Sequence, residues 1–599
     1  MQNVIRDFYN ARILDLEYDI KKNKKTLFYL YLARLILFLS LIAFLVLFLK
    51  FNYNYLFIAF SFGSLILFLG AVKLNLDAVY KEKLLTNKLL VNNNELKYLE
   101  YQYHEHDKGE EFNYLSPHLS ADFDIFGNGS LYQYLNRCST RIGKIEFAEN
   151  LCKSELNQDT IYKKQQAIKE LSEKNELIQN FQAYGMLISE NGGELSSLQS
   201  WLDETDSKLK LLQISTILFP FISVGWIVLI ALGIFSINSV FLLILLSVII
   251  LGLKNKTIKS AHAKLGNSAK TFEKYFTLIK LIEKDDYKYK YLSDLKHQLT
   301  NHEAKASQSL KALFKLLNSF DIRYNVLVSF ILNVFFLFDF HVYCRLLKWK
   351  EKHKSLIALW FSSLAEFDAL IGYATFAFNN QDMVSYPKVS DKEFTFQAEE
   401  IGHPLLNPSV RVNNSLQFSG VPSVLIVTGA NMAGKSTFLR TLSVNLMLAM
   451  NGAPVCAKSF LFTPCDIMSS IKIQDSLSNN ESYFYAELLR IKDIIDHVKI
   501  HPRTLVVLDE ILRGTNTKDK QLGSLGLLET LISQNSIVVV ATHDLVIGEL
   551  EKKYPDIVTN YCFEVELTND QLIFDYKLKR GISQKLNASF LMKKMGIIN

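Results

Sequence analysis

At 599 residues the chain is too long for one hydrophobic core, so roughly two to four domains are expected. A hydrophobic fraction of 49% and a mean hydropathy of +0.11 are high for a purely soluble protein, while a net charge of +6 from 66 basic and 60 acidic residues permits nucleic acid or anionic lipid as a partner without demanding either. The six cysteines, Cys138, Cys152, Cys344, Cys456, Cys465 and Cys562, form no CxxC pair, which argues against a zinc site or a disulfide framework and fits a reducing compartment.

The first elements in chain order are two apolar helices, predicted over 27–49 and 55–72 and joined by the short polar segment 50–54. A helix needs about 20 apolar residues to cross the hydrocarbon core, so each is long enough. Arg34 lies in the first turns of its helix and can snorkel toward the basic flank. Residues 74–120 are charged and tyrosine-rich and end in YHEHDKGEEF; His104, Glu105 and His106 read there as a solvated linker rather than a metal site. Residues 121–210 and 254–380 are almost free of proline and read as long helices. In TFEKYFTLIKLIEK, for example, Phe272, Phe276, Ile279 and Ile282 fall on one face at helical spacing.

Between those helical blocks, 211–253 carries no charge at all and is long enough for a second membrane hairpin, with Ser236, Ile237 and Asn238 as its turn. Lysines stand before and after both hairpins, whereas the turns carry only Lys50, so the positive-inside rule puts the ends of both hairpins in the cytoplasm. The expectation is a multi-pass protein of a bacterial-type inner membrane, held in the lipid bilayer by four transmembrane helices. The apolar run 326–338 contains Asn333 and is too short to span; it reads as a buried helix of a soluble core. The polar stretch 379–395 ends the helical region, and from 396 onward short β-rich runs alternate with helical patterns, as in an α/β domain.

That last region holds the chemistry. VLIVTGANMAGKST reads as buried strand, glycine loop and helix start, matching GxxxxGK[ST] with Gly429, Gly434, Lys435 and Ser436. Backbone N–H groups from Gly429 through Asn431, Met432, Ala433 and Gly434 to Thr437 are expected to cradle ATP phosphates at a helix N-terminus. Lys435 is expected at the β- and γ-phosphates, with Ser436 as a ligand to Mg²⁺. TLVVLDE places Asp509 and Glu510 at the end of a second buried strand, Asp509 for Mg²⁺ and Glu510 to polarise the attacking water. IVVVATHD ends a third strand at His543, placed to sense the γ-phosphate.

These segments resemble the MutS family of DNA mismatch-repair ATPases. TGANMAGKST is similar to that family's TGPNMGGKST, DEILRGTNTKD to DEIGRGTSTYD, and EIGHPLL precedes the loop as the family's HP segment does. DIFGNGSLYQYLNRCSTRIGKIEFAENL resembles the opening of the family's helical lever, and the resemblance covers about 119–210, 257–380 and 398–599. Together with the two hairpins read from the apolar runs, it gives a multidomain chain: an N-terminal region over 1–117 with a transmembrane hairpin at about 27–72, an all-α lever core over 118–385 interrupted by a second hairpin at about 211–253, and an α/β P-loop (ABC-type) ATPase domain over 386–599. It also implies a Mg²⁺-dependent ATP hydrolase working as a homodimer. There Ser482, in NESYFYAE, would reach the γ-phosphate of the other subunit. Asn480, Tyr483 and Leu512 depart from the family pattern.

The family's mismatch wedge is a Phe-x-Glu motif, present here only as Phe147 to Glu149 inside the core segment, so base-specific mismatch reading is not expected. DNA is the leading expected partner and mismatch repair or damage sensing the related process. Lys254, Lys256, Lys259, Lys264 and Lys270 could contact phosphates but are as well explained as the basic flank of a hairpin. The alternative is an ATP-switched membrane scaffold or remodeller without DNA. An ABC-type transporter is disfavoured because no LSGGQ signature is present.

Overall fold

A computed structural model describes residues 2–51, 55–190, 192–204, 210–252, 255–300, 305–391, 394–472, 483–568 and 571–583. The chain opens with two very long helices, Gln2–Lys50 and Tyr55–Leu99, packed along each other. Their apolar halves meet at the predicted turn, where side chains such as Leu35, Phe38, Phe62 and Leu67 stand exposed. The polar halves continue without a break into the body of the molecule. This corrects the reading of 74–120 as a solvated linker: Val91, Asn92, Glu95 and Tyr98 are buried, and Asn92 exchanges hydrogen bonds with Gln179 at 3.0 and 3.3 Å. His106 stacks on Tyr98 with ring centroids 4.6 Å apart, and burial lowers its pKa. The periodic polar residues of 74–99 are one helix face; the other face is core.

The helical body is built around Phe338–Asn379, a helix of 42 residues that lies against the Arg141–Cys152 and Gln158–Glu173 helices. Helix starts follow local chemistry: the Thr140 hydroxyl accepts from Gly143 N, and Asn157 accepts from Thr160 N, each satisfying an otherwise orphaned N–H. The stripe predicted on Ala269–Lys284 is core, with Phe272, Ile279 and Ile282 fully buried and Phe276 packed at its edge. Phe147 is likewise fully buried, against Tyr132 and Tyr373.

The uncharged segment after 210 forms the helices Lys210–Ala231 and Val240–Gly252, joined through the turn at Ser236 to Asn238 as read from the sequence. One apolar expectation fails. The helix Val326–Phe336 is not buried: Val326, Leu327, Phe330 and Ile331 are more than half exposed. It leaves the core at a bend of 110° after Tyr324 and packs instead on the two helices of the second hairpin. By length and composition three described helices could cross a membrane, namely those within 3–50, 55–99 and 338–379, but two thirds of the third's apolar window (67%) is buried in the helical body.

Among the described residues the C-terminal domain has ten strands: β1 Lys388–Val389, β2 Thr395–Ile401, β3 Asn414–Ser419, β4 Ser423–Gly429, β5 Ser459–Phe462, β6 Asp466–Ser470, β7 Thr504–Asp509, β8 Ile537–Thr542, β9 Val558–Thr568 and β10 Gln571–Arg580. The smaller sheet runs β1-β5-β2-β3 and the larger β10-β9-β4-β8-β7-β6. In the larger sheet all neighbours are parallel except β10, which is antiparallel to β9. Every residue of β4, β7 and β8 is buried, as expected of parallel strands covered on both faces.

Candidate functional site

β4, β8 and β7 are consecutive in the sheet, so the segments that follow them converge at one edge, where open α/β sheets bind ligands. β4 ends at Gly429, whose φ of 152° and approach to Phe563 suit only glycine: a Cβ there would stand 2.8 Å from the Phe563 carbonyl oxygen. Gly434, at φ 100°, starts the helix Lys435–Met450. The loop between them exposes Met432, while Ala433 is buried and anchors it. Asn431, Gly434, Ser436 and Thr437 line a cavity of about 550 Å³, walled on the far side by His403, Val410 and Tyr576.

Lys435 is buried inside this loop and donates to the carbonyl oxygens of Gly429 and Ala430 at 2.8 and 2.9 Å. Its ammonium is 3.9 Å from Glu510 Oε1. Burial lowers its pKa, opposed by the charges of Glu510 and Asp509. The lysine is thus held at the loop by weak carbonyl acceptors that a phosphate oxygen would outcompete.

β7 delivers Asp509, and Glu510 follows at φ 48° with its N–H donated to Ala541 O at 2.9 Å. Burial raises the Asp509 pKa despite a hydrogen bond with the Ser436 side chain, and its Oδ1 is buried with no partner among the described residues. That orphaned oxygen beside a serine hydroxyl is what a hard divalent cation would satisfy, so the residues fit Mg²⁺. His543 follows β8 and places Nδ1 3.4 Å from Glu510 Oε1.

Four further residues complete the site without having been singled out from the sequence. Arg513 reaches Glu510 Oε2 at 3.5 Å and Asp509 Oδ2 at 3.9 Å. Lys520 Nζ lies 3.5 Å from His543 Nε2. Glu487, fully inside, accepts from Leu512 N at 2.6 Å and Arg513 N at 3.1 Å, holding Leu512 at φ 59°. That bond supplies what a glycine at 512 would give freely. Tyr576, at φ 51° where the β9–β10 register shifts, puts its ring 3.1 Å from where a Gly434 Cβ would stand. Arg513 and Glu487 lie inside the motifs DEILRGTNTKD and NESYFYAE, which is a signal; Tyr576 carries none, because only the sheet brings β10 to the loop. Ser482 lies outside the described residues. His403, of EIGHPLL, is buried and its pKa falls to about 4, so it is neutral, its Nδ1 accepting from Leu405 N at 3.2 Å.

The arrangement combines a glycine loop at a helix N-terminus, a buried lysine, an exposed arginine and two carboxylates. It can bind a polyphosphate with a cation and set a carboxylate and an imidazole beside a water. Residues 425–594 match the protein family described as MutS domain V. The chain is 29% identical over 250 residues to a DNA mismatch repair protein MutS of Thermotoga maritima, an alignment covering 41% of this chain and 31% of that protein. It is 30% identical over 227 residues to a protein of the same name from Clostridium kluyveri, covering 36% and 25%. The chain thus spans less than a third of the length of these curated relatives.

Proposed function

The chain belongs to the MutS family through its C-terminal domain, and from that premise we propose that it is a membrane-anchored ATPase that binds and hydrolyses ATP at a homodimer interface, with DNA as partner. The observation that carries the ATPase reading is the convergence of Gly429 to Thr437, Asp509, Glu510 and His543 at the ends of three adjacent parallel strands. In this reading the loop's N–H groups and Lys435 hold the phosphates. Ser436 and Asp509 hold Mg²⁺, which neutralises phosphate charge when bound. Glu510 accepts a proton from the attacking water, and His543 fixes the orientation of that carboxylate. Arg513, partly exposed beside both carboxylates, stabilises negative charge that develops on the transferred group. The partner subunit would close the exposed side of the cleft, bringing Ser482 with it.

The membrane part rests on the two hairpins, whose apolar side chains face outward over 27–72 and 217–252, and on the lysines that place their ends in the cytoplasm. Lys435→Ala should abolish nucleotide binding, and Glu510→Gln should retain ATP without turnover; normal hydrolysis by Glu510→Gln would overturn the assignment. DNA is tested with the detergent-solubilised chain on matched, mismatched and branched duplexes, with and without ATP and at two salt concentrations. One observation favours the second reading, a membrane scaffold without DNA: the hairpins carry exposed Phe, Ile and Leu side chains over their apolar stretches. Absence of binding at both salts, with ATPase intact, would select it.

A further inference from the structure

The short helix Val326–Phe336 has no place in a soluble core, and its sequence has no charged face. Val326, Leu327, Phe330 and Ile331 are each more than half exposed along one side of the helix, and Val328 and Phe336, which point to the other side, are also exposed, at 41% and 43%. A helix apolar on all sides needs an apolar surrounding, not an interface with water. It lies against Lys210–Ala231 and Val240–Gly252, so its exposed surface continues that of the second hairpin, where Phe221, Phe241 and Leu245 are also exposed.

Its ends are finished for a site without water. Asn325 caps the first turn by accepting from Val328 N at 3.2 Å. At the other end Leu337 turns the chain at φ 47°, and Asn333 closes the turn. Leu337 N donates to the Asn333 carbonyl at 3.1 Å, Asp339 N to its side-chain oxygen at 2.9 Å, and its own amide donates to Ser329 Oγ at 3.1 Å. Unpaired backbone groups are not tolerated in hydrocarbon, and this turn pairs them locally. Below the turn, Arg323 and Asp339 pair at 2.8 Å, and the exposed positions of the descending helix read His341, Arg345 and Lys348. Those residues recur at helical spacing on one face. Eleven residues rise about 16 Å, half of a hydrocarbon core of about 30 Å, so the helix can enter one leaflet but not span.

We propose that Val326–Phe336 is a re-entrant membrane element: it enters and leaves the bilayer on one side, beside the second hairpin, with Arg345 and Lys348 facing anionic lipid headgroups. This rests on the reading of that hairpin as membrane-inserted. It makes the far end of the helical body a three-helix anchor instead of a hairpin on a flexible tether. Because the element returns on the side it came from, the C-terminal domain stays with the other soluble parts. The continuity of the apolar surface and the basic residues beneath it favour lipid over a second copy of the chain.

The test uses the full chain in vesicles of zwitterionic and anionic phospholipid, carrying a photoreactive benzoylphenylalanine at Leu327, at Phe241 of the hairpin, or at the exposed Leu156 of the helical body. Lipid adducts are read by mass spectrometry. We expect adducts at 327 in a yield like that at 241 and at least about tenfold above that at 156. Adducts at 241 with none at 327, or a covalent dimer through 327, would overturn the proposal while leaving the hairpin reading intact. Absence of lipid adducts at both 327 and 241 would overturn both.

Discussion

At the scale of single residues, the site depends on groups whose charge is set by burial. Burial lowers the Lys435 pKa from the ordinary lysine value of 10.5, so the free protein loses this positive charge at a lower pH than an exposed lysine would. In the proposed reading the protonated form holds phosphate. Nucleotide affinity should therefore be flat through neutrality and fall on the alkaline side before 10.5 is reached. Lys435→Arg, which stays charged, should lack that alkaline fall whatever its absolute affinity; titrating a fluorescent nucleotide between neutral and alkaline pH checks this. A second prediction concerns Glu487. Glu487→Ala leaves the N–H groups of Leu512 and Arg513 without their acceptor, at about 1–3 kcal/mol, and frees the turn that carries Asp509 and Glu510. Turnover should fall with nucleotide binding largely kept, measured by separate binding and hydrolysis assays. The two carboxylates and the lysine of the cleft were legible in the sequence because the chemistry proposed for them fixes their spacing. Glu487 was visible as a motif residue, but its work of holding Leu512 at positive φ depends on a strand and a helix meeting.

At the scale of elements, the joint between the helix Phe338–Asn379 and the helix Arg141–Cys152 turns on Asp368. Its carboxylate accepts from Ser139 N, Thr140 N at 2.8 Å and Thr140 Oγ at 2.7 Å. It stands so close that a Cβ on Gly143 would meet Oδ2 at 2.3 Å. Burial is the largest influence and raises its pKa from 3.8 to about 6 against those hydrogen bonds. The folded state then holds this proton more tightly than the unfolded chain does. The contribution of Asp368 to stability is greatest below the unfolded value and is lost as pH rises toward 6, by about 3 kcal/mol in all. Asp368→Asn should flatten that slope relative to the parent, read from thermal unfolding in detergent between pH 4 and 7. Gly143→Ala should destabilise by several kcal/mol, because the clash is with a carboxylate fixed by its own bonds. Helical periodicity located these elements and their buried faces, as at Phe272, Ile279 and Ile282. It failed at Val326–Phe336, since an apolar run reads alike whether protein or lipid surrounds it.

At the scale of the whole molecule, the first hairpin is fastened to the helical body close to where that body meets the C-terminal domain. Tyr9 donates to Asn379 Oδ1 and Asn379 to Glu95 Oε2, both at 2.8 Å, while Arg137 binds both oxygens of Glu95 at 2.6 and 3.1 Å and covers the Tyr98 ring. Asn379 is the last residue of the 42-residue helix. Farther on, Asp122 of the body accepts from Ser469 Oγ and Lys472 N, both at 2.6 Å, at the end of β6. These bonds give the C-terminal domain a hydrogen-bonded route through the helical body to the first hairpin. Arg137→Ala strands a buried carboxylate and should destabilise by about 3–5 kcal/mol, whereas the double variant with Glu95→Gln should recover part of this in a thermal unfolding cycle. Removing 211–253 should leave nucleotide binding intact and weaken, without abolishing, any effect of ATP at the membrane, because the first hairpin stays fastened to the body; an unchanged response in vesicles would refute a role for the second hairpin.

What the sequence by itself determined is what short-range chemistry dictates: the glycine loop and its lysine, the strand-end carboxylates, the two apolar hairpins and the helical character of the middle. Each is written within a few consecutive residues, where backbone geometry and side-chain type decide the outcome. Only the tertiary structure decided which apolar helix stays outside the core, that the polar half of the second helix is packed rather than solvated, and that Tyr576, Arg513 and Glu487 join the cleft. Those outcomes depend on which surfaces meet across hundreds of residues, as Glu95 meets Asn379, and local sequence carries no record of such distances.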